Sequence, residues 1–255
     1  MEKYVYPDDS DNLTCLYIST DSNEKYWADS EQNVLNKIVN KIKHLPTPPN
    51  FLDLGCGLGR LFSVFYPYVS SITGLEPDYN RFSEALKEAQ RIDDSKIIVI
   101  NDFIDSVKTY KFNSVLVSHV FQHIPFEITK NTLNTLKNII PSGGLLFITT
   151  TFTDASSDIF TLEYLKNGKH FSEPVSEKDF IKRFNEKGLL PVREFCYNTM
   201  NSLFTEKGFI IEEMFTYHFD ISLTDKLPTV DFDEQRNKAK LYKGSKDVLY
   251  ILRRL

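Results

Sequence analysis

The sequence contains no CxxC pair, and its three cysteines, Cys15, Cys56 and Cys196, are odd in number and widely spaced. That pattern suggests neither a zinc knuckle nor a disulfide framework, and it suits reduced thiols in a cytosol. No run of lysine and arginine is present, and the net charge is −5 with a pI near 5.6. A broad phosphate-binding surface is therefore not expected, and nucleic acid is disfavoured as a partner. No apolar stretch exceeds the length of a strand, so no membrane span is expected. Residues 1–10 lack the apolar core of a secretory signal. Internal repeats and low-complexity tracts are missing as well. The expectation is a cytoplasmic chain whose 255 residues suffice for one large domain with room for an insertion.

What is present is an alternation of strand-like and helix-like segments. Residues 24–44 read as a helix, with Trp27, Val34, Ile38 and Ile42 on one face, and Pro46, Pro48 and Pro49 follow as a stiff connector. Strands are expected over residues 50–54, 69–75, 96–100, 112–118 and 145–151, with helices beginning at Arg60 and spanning 81–91 and 126–139. The near-continuous aliphatics of 96–100 suit a strand buried on both faces. The alternation breaks over residues 152–196, where helical pieces such as 179–187 appear without a clear strand followed by a helix. It resumes with a helix near 199–207 and strands over 209–219 and 247–252. Strands alternating with helices imply a parallel sheet covered on both sides, an α/β fold.

In such a sheet ligands sit beyond the carboxyl ends of the strands, where strand order reverses. Asp53-Leu-Gly-Cys-Gly-Leu-Gly59 lies at one of these ends. Its glycines permit positive φ and let a ligand touch bare backbone. A dinucleotide fingerprint would place its third glycine at position 60, which is Arg60, so NAD is disfavoured. Glu76 and Pro77 end the second expected strand, and a carboxylate there can accept two ribose hydroxyls. Asp102 and Phe103 leave the third expected strand, where they could receive an adenine amino group and cover the ring, or form a plain Asx turn. Ser118 and His119 end the fourth and face the same crevice.

Together Asp53–Gly59, Glu76, Asp102 and Ser118–Ile124 resemble the class I S-adenosylmethionine (SAM)-dependent methyltransferases. Residues 141–147 and 204–211 resemble that family's fifth-strand turn and its last helix and sixth strand. Phe121-Gln-His-Ile-Pro125 is similar to the small-molecule, ubiquinone-biosynthesis-like group. The resemblance implies a Rossmann-like sheet of seven strands, the last antiparallel, with helices on both faces and a lid inserted after strand 5. It implies SAM as cofactor and S-adenosylhomocysteine (SAH) as product. Backbone at Gly55, Gly57 and Gly59 would line the methionine part and ribose, Asp53 would meet the amino end, Glu76 the ribose and Asp102 the adenine. Arg60 would pair with a carboxylate or merely start a helix.

The expected domains are a helical cap (1–48), a SAM-binding core (49–151), a substrate lid (152–196) and the rest of the core sheet (197–255). His119 is the preferred base or acceptor-orienting residue, with a role as a mere wall left open. His123 is a second candidate for which packing is favoured. Their HxxxH spacing lacks a third ligand, so no metal is expected. Tyr26, Trp27, Phe152 and Tyr164 are candidate substrate contacts, and the lid aromatics could equally form a satellite core. The expected acceptor is a small or medium-sized metabolite. The alternatives are a protein, peptide or RNA acceptor, and a binding protein without catalysis.

Overall fold

The structure is a computed structural model that describes residues 21–93, 95–167, 169–217 and 247–255, with side chains from Glu31 onward except that of His170. Helix α1 (Asp21–Lys43) precedes the sheet, and Val34, Ile38 and Ile42 form its buried face. The core then alternates: β1 (Asn50–Leu54), α2 (Phe62–Phe65), β2 (Ser71–Leu75), α3 (Tyr79–Ile92), β3 (Ile97–Ile100), β4 (Ser114–Ser118), α4 (Phe126–Ile139) and β5 (Leu145–Thr153). Each strand is short and largely apolar. Asp78 starts α3 sharply by accepting a hydrogen bond from the backbone N–H of Arg81 at 2.9 Å.

Strands β3, β2, β1, β4 and β5 lie side by side in that order and run parallel. The reversal of order therefore falls between β1 and β4, where a crevice opens beyond the strand ends. Beyond β5 the sheet continues through β10 (Asp247–Arg254) to β9 (Phe209–Tyr217). β10 is antiparallel to both neighbours. This part of the sheet matches the expected seven strands with the last antiparallel. Helices and two large apolar clusters cover its two faces, one centred on Leu146, Ile148 and Tyr250, the other on Phe51, Phe147 and Ile251.

Two expectations are corrected. Residues 152–196 do contain a strand followed by a helix: they hold β6 (Ile159–Lys166), β7 (Lys169–Pro174), helix α5 (Glu177–Arg183) and β8 (Leu190–Cys196). β8 continues the sheet from the far end of β5, pairing Phe152 with Phe195, and β6 and β7 extend it antiparallel. β7 reads Lys-His-Phe-Ser-Glu-Pro, which lacks an alternating apolar pattern because it is an outermost strand. The second correction is β3. It is the opposite edge of the sheet, and Ile98 is 58 % exposed. An aliphatic run alone cannot separate a central strand from an edge. Helix α2 also begins at Phe62, two residues after Arg60. Helix α6 (Tyr197–Glu206) leads into β9 as expected.

Candidate active site

The glycine turn takes three left-handed residues in seven: Gly55 (φ 77°), Gly57 (φ 57°) and Gly59 (φ 79°). The turn is packed at two of them and open at the third. A Cβ at Gly55 would clash with Val120, and one at Gly59 would meet Phe62 at 2.7 Å. A Cβ at Gly57 would meet nothing within 4 Å. Open space thus lies where a side chain at position 57 would stand, while Gly55 and Gly59 are packed against Val120 and Phe62.

Glu76, at the end of β2, is buried, and its carboxylate accepts from the backbone N–H of Gly57 and of Asp78, each at 2.9 Å. Burial raises its pKa against the pull of those bonds. An ionised carboxylate has about four lone-pair sites, so two remain for a ligand's hydroxyls. Asn101 holds the strand end by donating to the carbonyls of Glu76 and Pro77 at 2.9 and 3.1 Å. Asp53 lies on β1 beside this turn. It is buried, its Oδ1 has no hydrogen-bond partner, and burial pushes its pKa up to about 7 despite the nearby Arg60 charge. Asp102 accepts from the backbone N–H of the next residue, Phe103, at 2.8 Å, whereas an Asx turn would engage the residue after it.

Ser118 ends β4 and its hydroxyl lies 3.0 Å from that of Thr149 on β5. His119 follows in the left-handed region (φ 53°), a conformation that costs a non-glycine residue ~1–3 kcal/mol. Its ring is held on both sides. Nδ1 is 3.2 Å from Gln122 Oε1 and Nε2 is 2.9 Å from the Tyr217 hydroxyl. The partners fix where the protons lie. The carbonyl of Pro191 can only accept, so His123 Nδ1 donates to it at 2.9 Å and His123 Nε2 accepts from the Gln122 amide at 3.2 Å. Gln122 Oε1 then accepts from Thr151 N–H at 2.9 Å and from His119 Nδ1, leaving His119 Nε2 to accept from Tyr217. Asp247 stands 3.8 Å from His119 Nδ1.

Burial pushes His123 down to about 4, so it is neutral and wholly engaged between Gln122 and β8. Burial and the Asp247 charge hold the Tyr217 phenol well above its usual range, and Tyr217 also hydrogen-bonds Thr149. Tyr217, Asp247, Gln122 and Thr149 were not singled out from sequence. Gln122 lies three residues from His119 within Phe121–Pro125, whereas Tyr217, Asp247 and Thr149 come to it because β5 pairs with β4, β10 with β5 and β9 with β10.

The other sequence candidates are dispersed. Phe152 packs into the main core rather than onto an exposed lid face. Tyr164 stacks on Phe171 at 5.6 Å on the outer β6–β7 pair. The side chains of Tyr26 and Trp27 lie outside the described residues. Arg60 is met by Glu31 of α1, whose carboxylate takes both guanidinium nitrogens at 2.9 and 2.6 Å. Among the described residues no three His, Cys, Asp or Glu side chains gather to hold a metal ion, and no helix is long and apolar enough to cross a membrane.

Similar folds are known. The magnesium protoporphyrin IX methyltransferase of Synechocystis PCC 6803, solved with SAH, superposes with a TM-score of 0.60 at 12 % identity, covering 96 % of this chain and 94 % of that one. The 1,6-didemethyltoxoflavin-N1-methyltransferase of Burkholderia thailandensis, also with SAH, gives 0.57 at 15 % identity over 100 % and 92 %. A glycopeptide N-methyltransferase complexed with SAM gives 0.56 at 11 % identity over 88 % and 93 %. At these identities the likeness is one of fold. A search of curated proteins by sequence finds no match. The sequence profile described as "Methyltransferase domain" matches residues 26–194. With well over half its length under that profile, the chain belongs to the methyltransferase-domain family and is by that membership a transferase.

Proposed function

We propose that the protein is a SAM-dependent methyltransferase acting on a small or medium-sized metabolite. The observation that carries the cofactor reading is the open backbone at Gly57, bracketed by the partnerless Oδ1 of buried Asp53 and the half-engaged carboxylate of Glu76. A buried carboxyl with an unpartnered oxygen either holds a proton or gains from a cation or donor supplied from outside the chain. The three features fit a nucleoside with a cationic amino end, and the known structures of this fold described above hold SAM or SAH.

In this reading Asp53 takes the amino end, Glu76 the ribose hydroxyls, and Asp102 and Phe103 the adenine, with backbone from Gly55 to Gly59 and Ser118–His119 lining the middle. When bound, the cofactor supplies a methyl group on a sulfonium. The chain's residues do the rest: they orient the acceptor in line and exclude water. His119 is the proton acceptor for a hydroxyl or N–H. Its Nδ1–H is spent on Gln122 and its Nε2 lone pair faces the Tyr217 hydroxyl, so a proton reaches it through that oxygen. His123 holds Gln122 in register and takes no part in proton transfer.

A small acceptor is favoured by the acidic net charge and by Phe121–Pro125, which is similar to the small-molecule, ubiquinone-biosynthesis-like group. The inserted β6–β8 sheet is proposed as the floor and wall of the acceptor site. Calorimetry with SAM and SAH tests the core of this proposal: micromolar binding is expected. Silence at millimolar ligand would end it.

A further inference from the structure

Arg60 closes the glycine turn, and one carboxylate, that of Glu31 on α1, holds both of its terminal nitrogens at 2.9 and 2.6 Å. The pair ties a helix outside the sheet to the lip of the pocket. It is exposed: 56 % of the Arg60 side chain and 28 % of that of Glu31 are accessible. Such a pair contributes little to folding. Its surroundings say more. Arg60 also acts electrostatically on Asp53, whose Oδ1 has no partner in its buried setting. A guanidinium fork whose charge acts on a carboxyl with one unpartnered oxygen offers a receptor for the two ends of an amino acid, ammonium toward Asp53 and carboxylate toward Arg60. One of those ends already has an imitation within the chain. The Glu31 carboxylate sits in the Arg60 fork in the bidentate geometry a ligand's α-carboxylate would adopt.

We propose that Glu31 is a place-holder that occupies the Arg60 site for the α-carboxylate of the bound cofactor and yields when the ligand's amino-acid end enters. The proposal rests on the SAM reading above and adds to it a binding residue for the methionine end and a competitor supplied by α1. The helix stays docked when Glu31 lets go, because it has other anchors on β9: Lys41 pairs with Glu213, and Lys37 lies 3.7 Å above the Phe215 ring. Glu76, Gly57 and Asp78 form a separate network without Arg60, so the adenosine end is read independently. Tyr217, which feels the charges of both Glu31 and Arg60, would register the exchange at the His119 side of the crevice.

The test is calorimetry with two probes, SAH and 5′-methylthioadenosine, which shares the adenosine and thioether but lacks the amino-acid end. Glu31→Gln should tighten SAH about two- to fivefold, as expected for losing one exposed competing carboxylate, and leave methylthioadenosine unchanged. Arg60→Ala should weaken SAH about tenfold by removing a charge-assisted fork, leave methylthioadenosine unchanged, and cancel the Glu31→Gln gain in the double variant. Arg60→Lys should fall between, keeping the charge without the fork. Unchanged or weaker SAH binding in Glu31→Gln overturns the proposal, as does an Arg60→Ala loss shared equally by both probes. Wild-type protein that binds methylthioadenosine as tightly as SAH overturns this inference while the nucleoside reading stands. Wild-type protein that binds neither probe overturns both.

Discussion

Asp53 is the residue where stability and binding pull apart. Its carboxylate is buried with one oxygen bare, which costs the folded protein free energy whenever the group ionises. Asp53→Asn should therefore stabilise the ligand-free protein at pH 8 by on the order of a few kcal/mol, read as a higher melting temperature. The same variant should weaken SAH by about tenfold or more, because the ligand's ammonium loses its counter-charge. Equal losses of stability and affinity would instead mark Asp53 as a structural residue. Glu76→Ala tests the neighbouring assignment. It removes the acceptor of the Gly57 and Asp78 N–H groups as well as the ribose partner. Affinity for SAH should fall at least about tenfold, the size of a lost charged hydrogen bond, and unchanged affinity rejects the ribose role.

Two elements depend on single residues for their geometry. The turn into α2 relies on Gly59 at φ 79°, where a Cβ would press on Phe62 at 2.7 Å and on the Ala85 backbone at 3.2 Å. Gly59→Ala should cost about 2 kcal/mol or more, since left-handed strain and a clash add, and urea denaturation reads it directly. The inserted sheet relies on the Asp158–Arg193 pair, both side chains at 10 % exposure or less. Asp158 also accepts from the backbone N–H of Cys196 at the start of α6, and Arg193 lies 4.0 Å above the Phe126 ring. Asp158→Ala leaves the guanidinium buried without its counter-ion and should cost about 3–5 kcal/mol. A double variant with Arg193→Met should recover part of that loss in the same denaturation series.

Across the whole molecule two buried groups set opposing pH dependences. Asp53 titrates at about 7 folded against 3.8 unfolded, so the folded state holds the extra proton and stability falls as pH rises from near 4 to 7. His123 titrates at about 4 folded against 6.5 unfolded, so the unfolded state holds the extra proton and stability falls as pH drops from 6.5 to 4. Between about 4 and 6.5 the two slopes offset, one proton against one. In Asp53→Asn the His123 slope is no longer offset by Asp53. Its melting temperature should fall on acidification from pH 6.5 to 4.5 more steeply than that of the wild type. Parallel curves for the two proteins would show that Asp53 ionises normally in the fold.

Much of this protein was decided locally, and that part was legible. Helix α4 falls at residues 126–139 as the periodicity predicts, and β1 at 50–54, because each is a contiguous run whose own side chains state the pattern. The glycine turn and the acids at strand ends were legible for the same reason: Gly57 and Glu76 are 19 residues apart within one strand–helix–strand unit. What the tertiary structure alone decided is who stands beside whom. Placing β10 between β5 and β9 brings Tyr217 to His119 across 98 residues, and docking α1 on the sheet brings Glu31 to Arg60 across 29. The exposure of β3 and the strands of the insertion follow from sheet position, which no window of sequence contains. Chemistry that needs one residue type at a chain turn is written in the sequence. Chemistry that needs two side chains to meet depends on strand order, which is set by burial of the whole sheet at once.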